Sequence, residues 1–513
     1  MKLRKIRTWL GAVFFVGITL MFLDFTGTLH HGLGWMAKVQ FLPALLAVNV
    51  VVIAALVVLT LLFGRVYCSV ICPMGVFQDV IARMGRRSKK NRYGYSKAVT
   101  WLRITMLAVM VGAFLAGLSS VVALLAPYSS YGRMVTHLFQ PLWMLGNNLL
   151  ATLSERADSY AFYHVDVWVK SLSTLLIAVA TLLLIAVLAW RNGRTYCNTI
   201  CPVGTVLGFL SRFSLFKVRF DADKCRNCSL CSKRCKAACI DFKTHSVDYS
   251  RCVACGNCLD SCKFGALSYS IKGTQASRPT ETHPTEPATS TDVAADGCEK
   301  KTEAPSPSRR SFLLATAMAT TAAWAQEKKK VDGGLAVLKE KAIPIRQTAL
   351  TPPGSLSAEN LAKRCTGCQL CISECPNGVL RPTTDLQHLM QPTMSYERGY
   401  CRPECTRCSD VCPTGAIQPI THEGKSAIQI GHAVWIRKNC LPLVEGVECG
   451  NCARHCPAGA IEMVPVDPND ESSAYIPAVN EARCIGCGAC ENLCPARPFP
   501  AIYVEGHEVH RSM

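Results

Sequence analysis

Apolar residues are distributed unevenly along this chain. Four long runs, at 8–25, 41–63, 104–126 and 171–190, carry almost no charge. A bilayer core of about 30 Å needs roughly 20 helical residues, so each run predicts a helix that spans or nearly spans it. The first run is the shortest, and Asp24 sits at its end. No small-residue cleavage site follows Phe25, which argues against a removable signal peptide. From 271 to 308 large apolar residues all but vanish among Ser, Thr, Pro, Glu and Ala. Such a stretch cannot bury a core and predicts a disordered linker. Beyond residue 357 apolar residues come as short patches between cysteines.

The second and fourth runs lead directly into the same motif. Residues 64–75 read GRVYCSVICPMG and residues 193–204 read GRTYCNTICPVG, identical at eight of twelve positions and 129 residues apart. Each copy has two cysteines four apart, so on a helix both thiols share a face. The proline after the second cysteine turns or kinks the chain. Cys68 and Cys72 with Cys197 and Cys201 supply four thiols, enough for one iron–sulfur centre or two redox pairs. Disulfides or plain buried thiols are the blander alternatives. A near-identical repeat at matching depth favours a metal or redox role.

The chain has 30 cysteines, of which twenty-four fall in tight clusters. That clustering favours metal over disulfides. Cys225, Cys228, Cys231 and Cys235, then Cys252, Cys255, Cys258 and Cys262, follow C-x2-C-x2-C-x3-C. This is two-cluster ferredoxin spacing, in which the fourth cysteine of each run ligates the other cluster. Lys236 and Lys263 stand where proline usually follows, and Cys239 is left over, read as a free buried thiol; it could replace Cys235 as a ligand only by lengthening the usual spacing. Four more motifs follow. Cys365, Cys368, Cys371 and Cys375 are regularly spaced; Cys401, Cys405, Cys408 and Cys412 have one extra residue in the first gap. Cys440, Cys449, Cys452 and Cys456 have a wide first gap, and Cys484, Cys487, Cys490 and Cys494 are regular again. These sixteen suit four [4Fe–4S] clusters, with motifs paired one-two and three-four or nested one-four and two-three. The clusters supply much of this part's folding energy, since few apolar residues are available for a core.

The formal charge of +19 does not point to nucleic acid. Each four-thiolate cubane adds about −2, and much of the basic excess flanks the apolar runs. Lysine and arginine crowd the N-terminus and the segment between the second and third runs, which predicts a cytoplasmic N-terminus and cytoplasmic twin motifs. The stretch 127–170 then faces outward, and its aromatic residues suggest an interfacial belt or part of a quinol pocket, with His30, His31, His137 and His164 on the same face. Arg309 and Arg310, a weakly apolar stretch and the sequence Ala323-Trp324-Ala325 look like a twin-arginine export signal. That route carries folded cargo, as a cluster-bearing domain requires. Cys298 has no assigned role.

The whole therefore predicts a membrane α-helical domain with α+β ferredoxin-like [4Fe–4S] domains on both sides. Its parts are a four-helix domain with the twin motifs (1–215), a cytoplasmic two-cluster domain (216–270), a linker (271–308), a twin-arginine segment (309–326), a connecting segment (327–356) and a periplasmic four-cluster domain (357–513). On these motifs residues 1–270 resemble NapH-type membrane quinol dehydrogenases. Residues from about 305 onward resemble periplasmic ferredoxins of the MauM/NapG type. The resemblance implies an inner-membrane protein that passes electrons from quinol, menaquinol foremost, to a periplasmic reductase such as nitrate reductase, or to a cytochrome. In the family the two parts are separate proteins, so their fusion here bears on cleavage after Ala325. The competing reading is a factor of the NosR or CcoG type that supports maturation of a copper enzyme. A thiol-switch sensor is a third, which no DNA-binding or kinase-like segment supports. Six cubanes of four irons predict about 24 iron atoms per chain after anaerobic purification; iron counting that returned none, with the thiols bridged to one another, would remove the metal reading.

Overall fold

The computed structural model describes residues 2–85, 93–221, 223–271, 341–470 and 473–513. The linker beyond Ile271, Cys298, the twin-arginine segment with Ala325 and the basic stretch 86–92 lie outside the described residues.

Two helices, Arg4–Leu23 and Leu172–Asn192, are long and apolar enough to cross a membrane, and Val50–Phe63 and Thr100–Leu115 are shorter apolar helices. The other two runs are each interrupted. Leu118 N–H donates to the Ala113 carbonyl (2.8 Å) and Gly117 N–H to that of Phe114 (3.2 Å). Gly117 itself is left-handed, with φ +73°. This is a Schellman stop, and glycine meets its backbone requirement without steric cost. The helix Ser119–Leu125 restarts directly afterwards. In the second run Phe41–Leu46 ends in the same pattern, Asn49 N–H to Ala44 O at 3.0 Å. Here Val48 occupies the left-handed position, which costs a β-branched residue some strain. The Asn49 side chain then caps Val50–Phe63 by accepting from Val52 N–H at 3.2 Å. Hydropathy does not register either break, because both flanks are equally apolar.

The stretch 127–170 is largely helical rather than an outer loop. Pro127–Met134 begins with proline at its first turn, and a wider π-type turn at Val135–Phe139 leads into Gln140–Glu155. Tyr128 and Tyr131 are 1% exposed and pack on Phe22, Phe15 and Phe77. They are core residues of the bundle, whereas Trp143, Tyr160 and Tyr163 stay exposed. Pattern reading groups all five as one aromatic belt because it cannot see which face of an unrecognised helix meets the bundle.

Two cysteine-rich modules flank the bundle. In the first, strands Lys217–Phe220 and Leu267–Ser270 pair antiparallel and close both cluster motifs between them. In the second, ribbons Leu380–Pro382 with Pro392–Met394, Ile461–Pro465 with Tyr475–Val479 and Ile428–Trp435 with Ile502–Ser512 frame the four motifs. The first module meets the start of helix Lys2–Leu23, where Arg4 bonds Asp260 at 2.8 Å. The second meets its far end, where His30 Nε2 approaches the Asp410 carbonyl at 3.2 Å. The helix of 22 residues that runs from the first contact toward the second is about 33 Å long.

The second module is held on by several polar contacts. His137 Nε2 bonds Gln369 Oε1 (2.7 Å), Lys170 Nζ donates to the Ile372 carbonyl (3.2 Å) and Ser119 Oγ to that of Gln387 (3.1 Å). The guanidinium groups of Arg381 and Arg398 both lie over the Trp168 ring, each 4.7 Å from its centre. Each such stack contributes about 0.5–1 kcal/mol at a partly exposed site. Trp168→Ala should therefore loosen this contact by about 1–2 kcal/mol, read as faster amide hydrogen exchange over residues 376–400. Unchanged exchange there would mean that the ring does not hold the module.

Candidate iron–sulfur sites

The twin motifs fold onto each other as a pair. Each places its cysteines on a short helix and the turn after it, Tyr67–Val70 ending at Cys72 and Thr195–Thr199 ending at Cys201. Pro73 and Pro202 then open the helices Pro73–Gly85 and Pro202–Leu210. The two copies are locked by exchanged arginines. Arg65 of the first donates to the Cys197 carbonyl of the second at 3.1 Å, and Arg194 of the second donates to the Cys68 carbonyl of the first at 2.6 Å. Both guanidinium groups are wholly buried. The repeated glycine has the same origin in both copies. A Cβ on Gly75 would lie 2.1 Å from the Cys68 carbonyl oxygen, and one on Gly204 would lie 2.3 Å from that of Cys197.

All four twin-motif thiols are about 4% exposed. Their sulfurs receive donors: Gln78 Nε2 to Cys197 at 3.1 Å, Gly204 N–H to Cys201 at 3.3 Å, and Arg65 Nη2 toward Cys68 at 3.9 Å. Burial outweighs these donors and pushes the Cys197 and Cys201 thiols up, so the contacts favour thiolate only once a metal is bound. Arg65 has no carboxylate partner among its hydrogen bonds, which run to Asn198, the Ser250 and Cys197 carbonyls and Cys68. An anionic centre among the thiols would supply the missing counter-charge.

The repeat breaks its symmetry seven residues after the second cysteine. The first copy has Asp79 there and the second has Gly208. Asp79 takes two bonds from Arg194, at 2.6 and 2.7 Å, and pairs with Arg7 and with Lys236. Burial alone would raise its pKa, but Arg194, Lys236 and Arg7 outweigh burial and hold the carboxyl well below the usual carboxylate range. Lys236 is the residue that replaces the usual proline of the first cluster motif, so the departure ties that module to the twin motif. On the Gly208 side the Ser250 carbonyl fills the space instead, and both Arg65 and Arg103 donate to it.

The clustered cysteines frame cavities. One of roughly 350 Å³ is lined by Cys225, Cys228, Cys231 and Cys262, with Phe220, Phe242 and Phe264 as walls. A second of roughly 340 Å³ is lined by Cys252, Cys255, Cys258 and Cys235. In the other module, roughly 390 Å³ is lined by Cys401, Cys405, Cys408 and Cys375. Each cavity takes three cysteines from one motif and the fourth from its partner. Charge coupling among the remaining thiols follows the same rule: Cys412 acts on Cys365, Cys368 and Cys371; Cys494 on Cys440 and Cys452; Cys456 on Cys484, Cys487 and Cys490. The neighbouring pairing, one with two and three with four, is the one the fold adopts, and the nested alternative is not. Cys449 is coupled to Cys440 and Cys452 and completes its set.

These frames fit iron–sulfur clusters by donor type, by number and by their apolar walls. All described cysteines are free thiols. Among the described residues no three His, Cys, Asp or Glu side chains converge closely enough to share one ion. A cubane needs that wider frame because its thiolates surround a body of iron and sulfide. When bound, the clusters supply one-electron transfer.

Of His30, His31, His137 and His164, only His137 is buried. Burial and nearby Lys170 push its imidazole down to about 4, against the Gln369 bond that raises it. It is therefore neutral near pH 7. His164 instead lies exposed beside Glu155 at 3.4 Å. Sequence reading misses the part played by Asp79 and Lys236, although the lysine in place of proline is a visible signal.

Asp79→Asn should strand Arg194 and Lys236 without a counter-charge and destabilise the chain by about 3–5 kcal/mol at pH 7. Because the folded-state carboxyl is depressed, this contribution is present above the ordinary carboxylate value and fades as pH falls through the folded one. Thermal unfolding of the two proteins should therefore converge in acid; an equal gap at every pH would deny the charge role.

One model of a 4Fe-4S binding domain matches twice, at residues 45–92 and 173–221, and so covers both twin motifs. A 4Fe-4S dicluster domain also matches twice, at 364–416 and 447–497, and a further 4Fe-4S binding domain matches 245–268. Among curated proteins the chain is similar to MauM of Methylobacillus flagellatus, a methylamine utilization ferredoxin-type protein, at 31% identity over 166 residues. That alignment covers 31% of this chain and 70% of MauM. It is 30% identical to the ferredoxin-type protein NapF of Escherichia coli over 159 residues, 31% of this chain and 87% of NapF. It is 26% identical over 238 residues to YccM of Escherichia coli, a proposed electron transport protein, covering 46% of this chain and 60% of YccM. The chain spans 37% of the length of one archaeal relative and 60% of YccM, less than two thirds of either. No solved structure matches. By the extent of its likeness to MauM and NapF, the chain belongs to the ferredoxin-type [4Fe–4S] electron-transfer proteins.

Proposed function

We propose that this protein conducts electrons across the cytoplasmic membrane, from quinol to an acceptor on the outer face. The observation that carries the reading is the placement of two cluster modules at opposite ends of one helix of about 33 Å, a bilayer's thickness. The four interrupted or continuous apolar runs form the membrane part, with the two-cluster module cytoplasmic and the four-cluster module periplasmic. Six clusters sit at the six motifs, and the twin motifs hold a further iron–sulfur centre shared between Cys68, Cys72, Cys197 and Cys201. Its position supports a relay. On one side Arg65 reaches the Ser250 carbonyl of the first module. On the other, buried Arg133 is close enough for its charge to feel both Tyr196 of the twin motif and Cys368 of the second module. The parts so arranged are those of a NapH-type membrane protein and a MauM/NapG-type ferredoxin in one chain, and a periplasmic reductase such as nitrate reductase is the acceptor class this suits.

Adding menaquinol to the anaerobically purified protein should bleach the cluster absorbance and produce reduced-cluster EPR signals. Cys68→Ser together with Cys197→Ser should cut that quinol-driven reduction at least tenfold while dithionite still reduces the six other clusters. Clusters that stay oxidised with every quinol offered would sink the quinol reading. Full reduction in the double variant would remove the twin motif from the path.

A further inference from the structure

The cavity beside the twin motif holds five thiols, one more than a cubane can use. Cys239 lines it together with Cys235, Cys252, Cys255 and Cys258. Its sulfur lies 3.5 Å from that of Cys235, within hydrogen-bonding distance, and it also makes a side-chain hydrogen bond with Cys252. Cys239 is 1% exposed, so water does not compete for these contacts. The companion cavity, framed by Cys225, Cys228, Cys231 and Cys262, has no fifth cysteine in its lining. Both motifs of this module share the ferredoxin spacing, so the extra thiol distinguishes one cluster position from its twin.

This position is also the one nearest the membrane bundle. Cys252 follows two residues after Ser250, whose carbonyl accepts from Arg65 and Arg103, and Lys236, next to Cys235, pairs with Asp79. The companion cavity is walled by Phe242 and Phe264 and has neither of those arginines in its lining.

We propose that Cys239 is a positioning and tuning residue whose single S–H donates to a ligand sulfur, that of Cys235 at 3.5 Å or, after rotation of the thiol hydrogen, that of Cys252, raising the reduction potential of the cluster nearest the bundle. The physical reason is charge. An added electron makes the cluster more negative, and a donor to its thiolates stabilises that state; hydrogen bonds to the sulfurs are among the factors that set such potentials. Cys235, with the standard spacing, remains the ligand, and Cys239 remains a protonated thiol. The consequence is a built-in difference between the two clusters of one module: an electron in this module rests preferentially on the cluster facing the twin motif. This rests on the proposed occupancy of the cavity by a cluster.

The test uses the full-length protein, purified anaerobically, with iron counting and EPR-monitored redox titration. Cys239→Ala should keep the wild-type iron content and shift one cluster signal to lower potential, leaving the others unmoved. Cys239→Ser, which retains an O–H donor, should recover most of the wild-type potential. Unchanged potentials in Cys239→Ala would overturn the proposal. So would a loss of about four iron atoms in that variant, the content of one cubane, because Cys239 would then be a ligand. Wild-type protein lacking iron in this module would instead remove the reading on which the proposal rests.

Discussion

The exchange of arginines between the twin motifs is the constraint on which the rest of the arrangement depends. A guanidinium is charged at any accessible pH and cannot be buried without acceptors. Arg65 and Arg194 find them across the repeat, each on the carbonyl of the other copy's first cysteine. Neither half can satisfy its arginine alone. Bringing the two apolar helices together therefore also assembles four thiols, and the glycines at 75 and 204 allow the close backbone approach that this demands.

The same arginines then reach outward. Arg194 engages Asp79, and Asp79 draws in Lys236 from the first cysteine module. Arg65 takes the Ser250 carbonyl from the same module. The module is thus anchored to the bundle by the groups that close the twin motif. An electron carrier needs this, since transfer between centres depends on fixed separation. The second module is attached differently, through side-chain contacts from Val135–Phe139 and Gln140–Glu155 and through the Trp168 stack. One attachment is a buried charge network and the other a docked surface.

Burial of so much positive charge without matching carboxylates makes sense only beside anions. Arg65 and Arg133 have no acidic partner among their hydrogen bonds. Both lie beside cysteines, Arg65 at Cys68 and Arg133 near Cys368. Clusters with four thiolates carry net negative charge, so the protein's basic excess and its cofactors answer one another.

Cysteine spacing was the most legible feature of this chain, because ligand geometry around a cubane is local and leaves a fixed signature. The spacing marked the cysteine sets that the fold gathers around three cavities, and the near-identity of residues 64–75 and 193–204 marked the repeat. Apolar runs located the helices but not their breaks at Val48 and Gly117, where a backbone turn interrupts a stretch of uniform hydropathy. What only the tertiary structure decided was which motif completes which cluster, and that Tyr128, Tyr131 and Trp168 are packing residues. It also decided that Asp79 and Lys236 join two parts of the chain 157 residues apart. These are matters of which distant segments meet. A sequence records the chemistry each segment offers, whereas the meeting is chosen by the burial and charge of the whole chain at once.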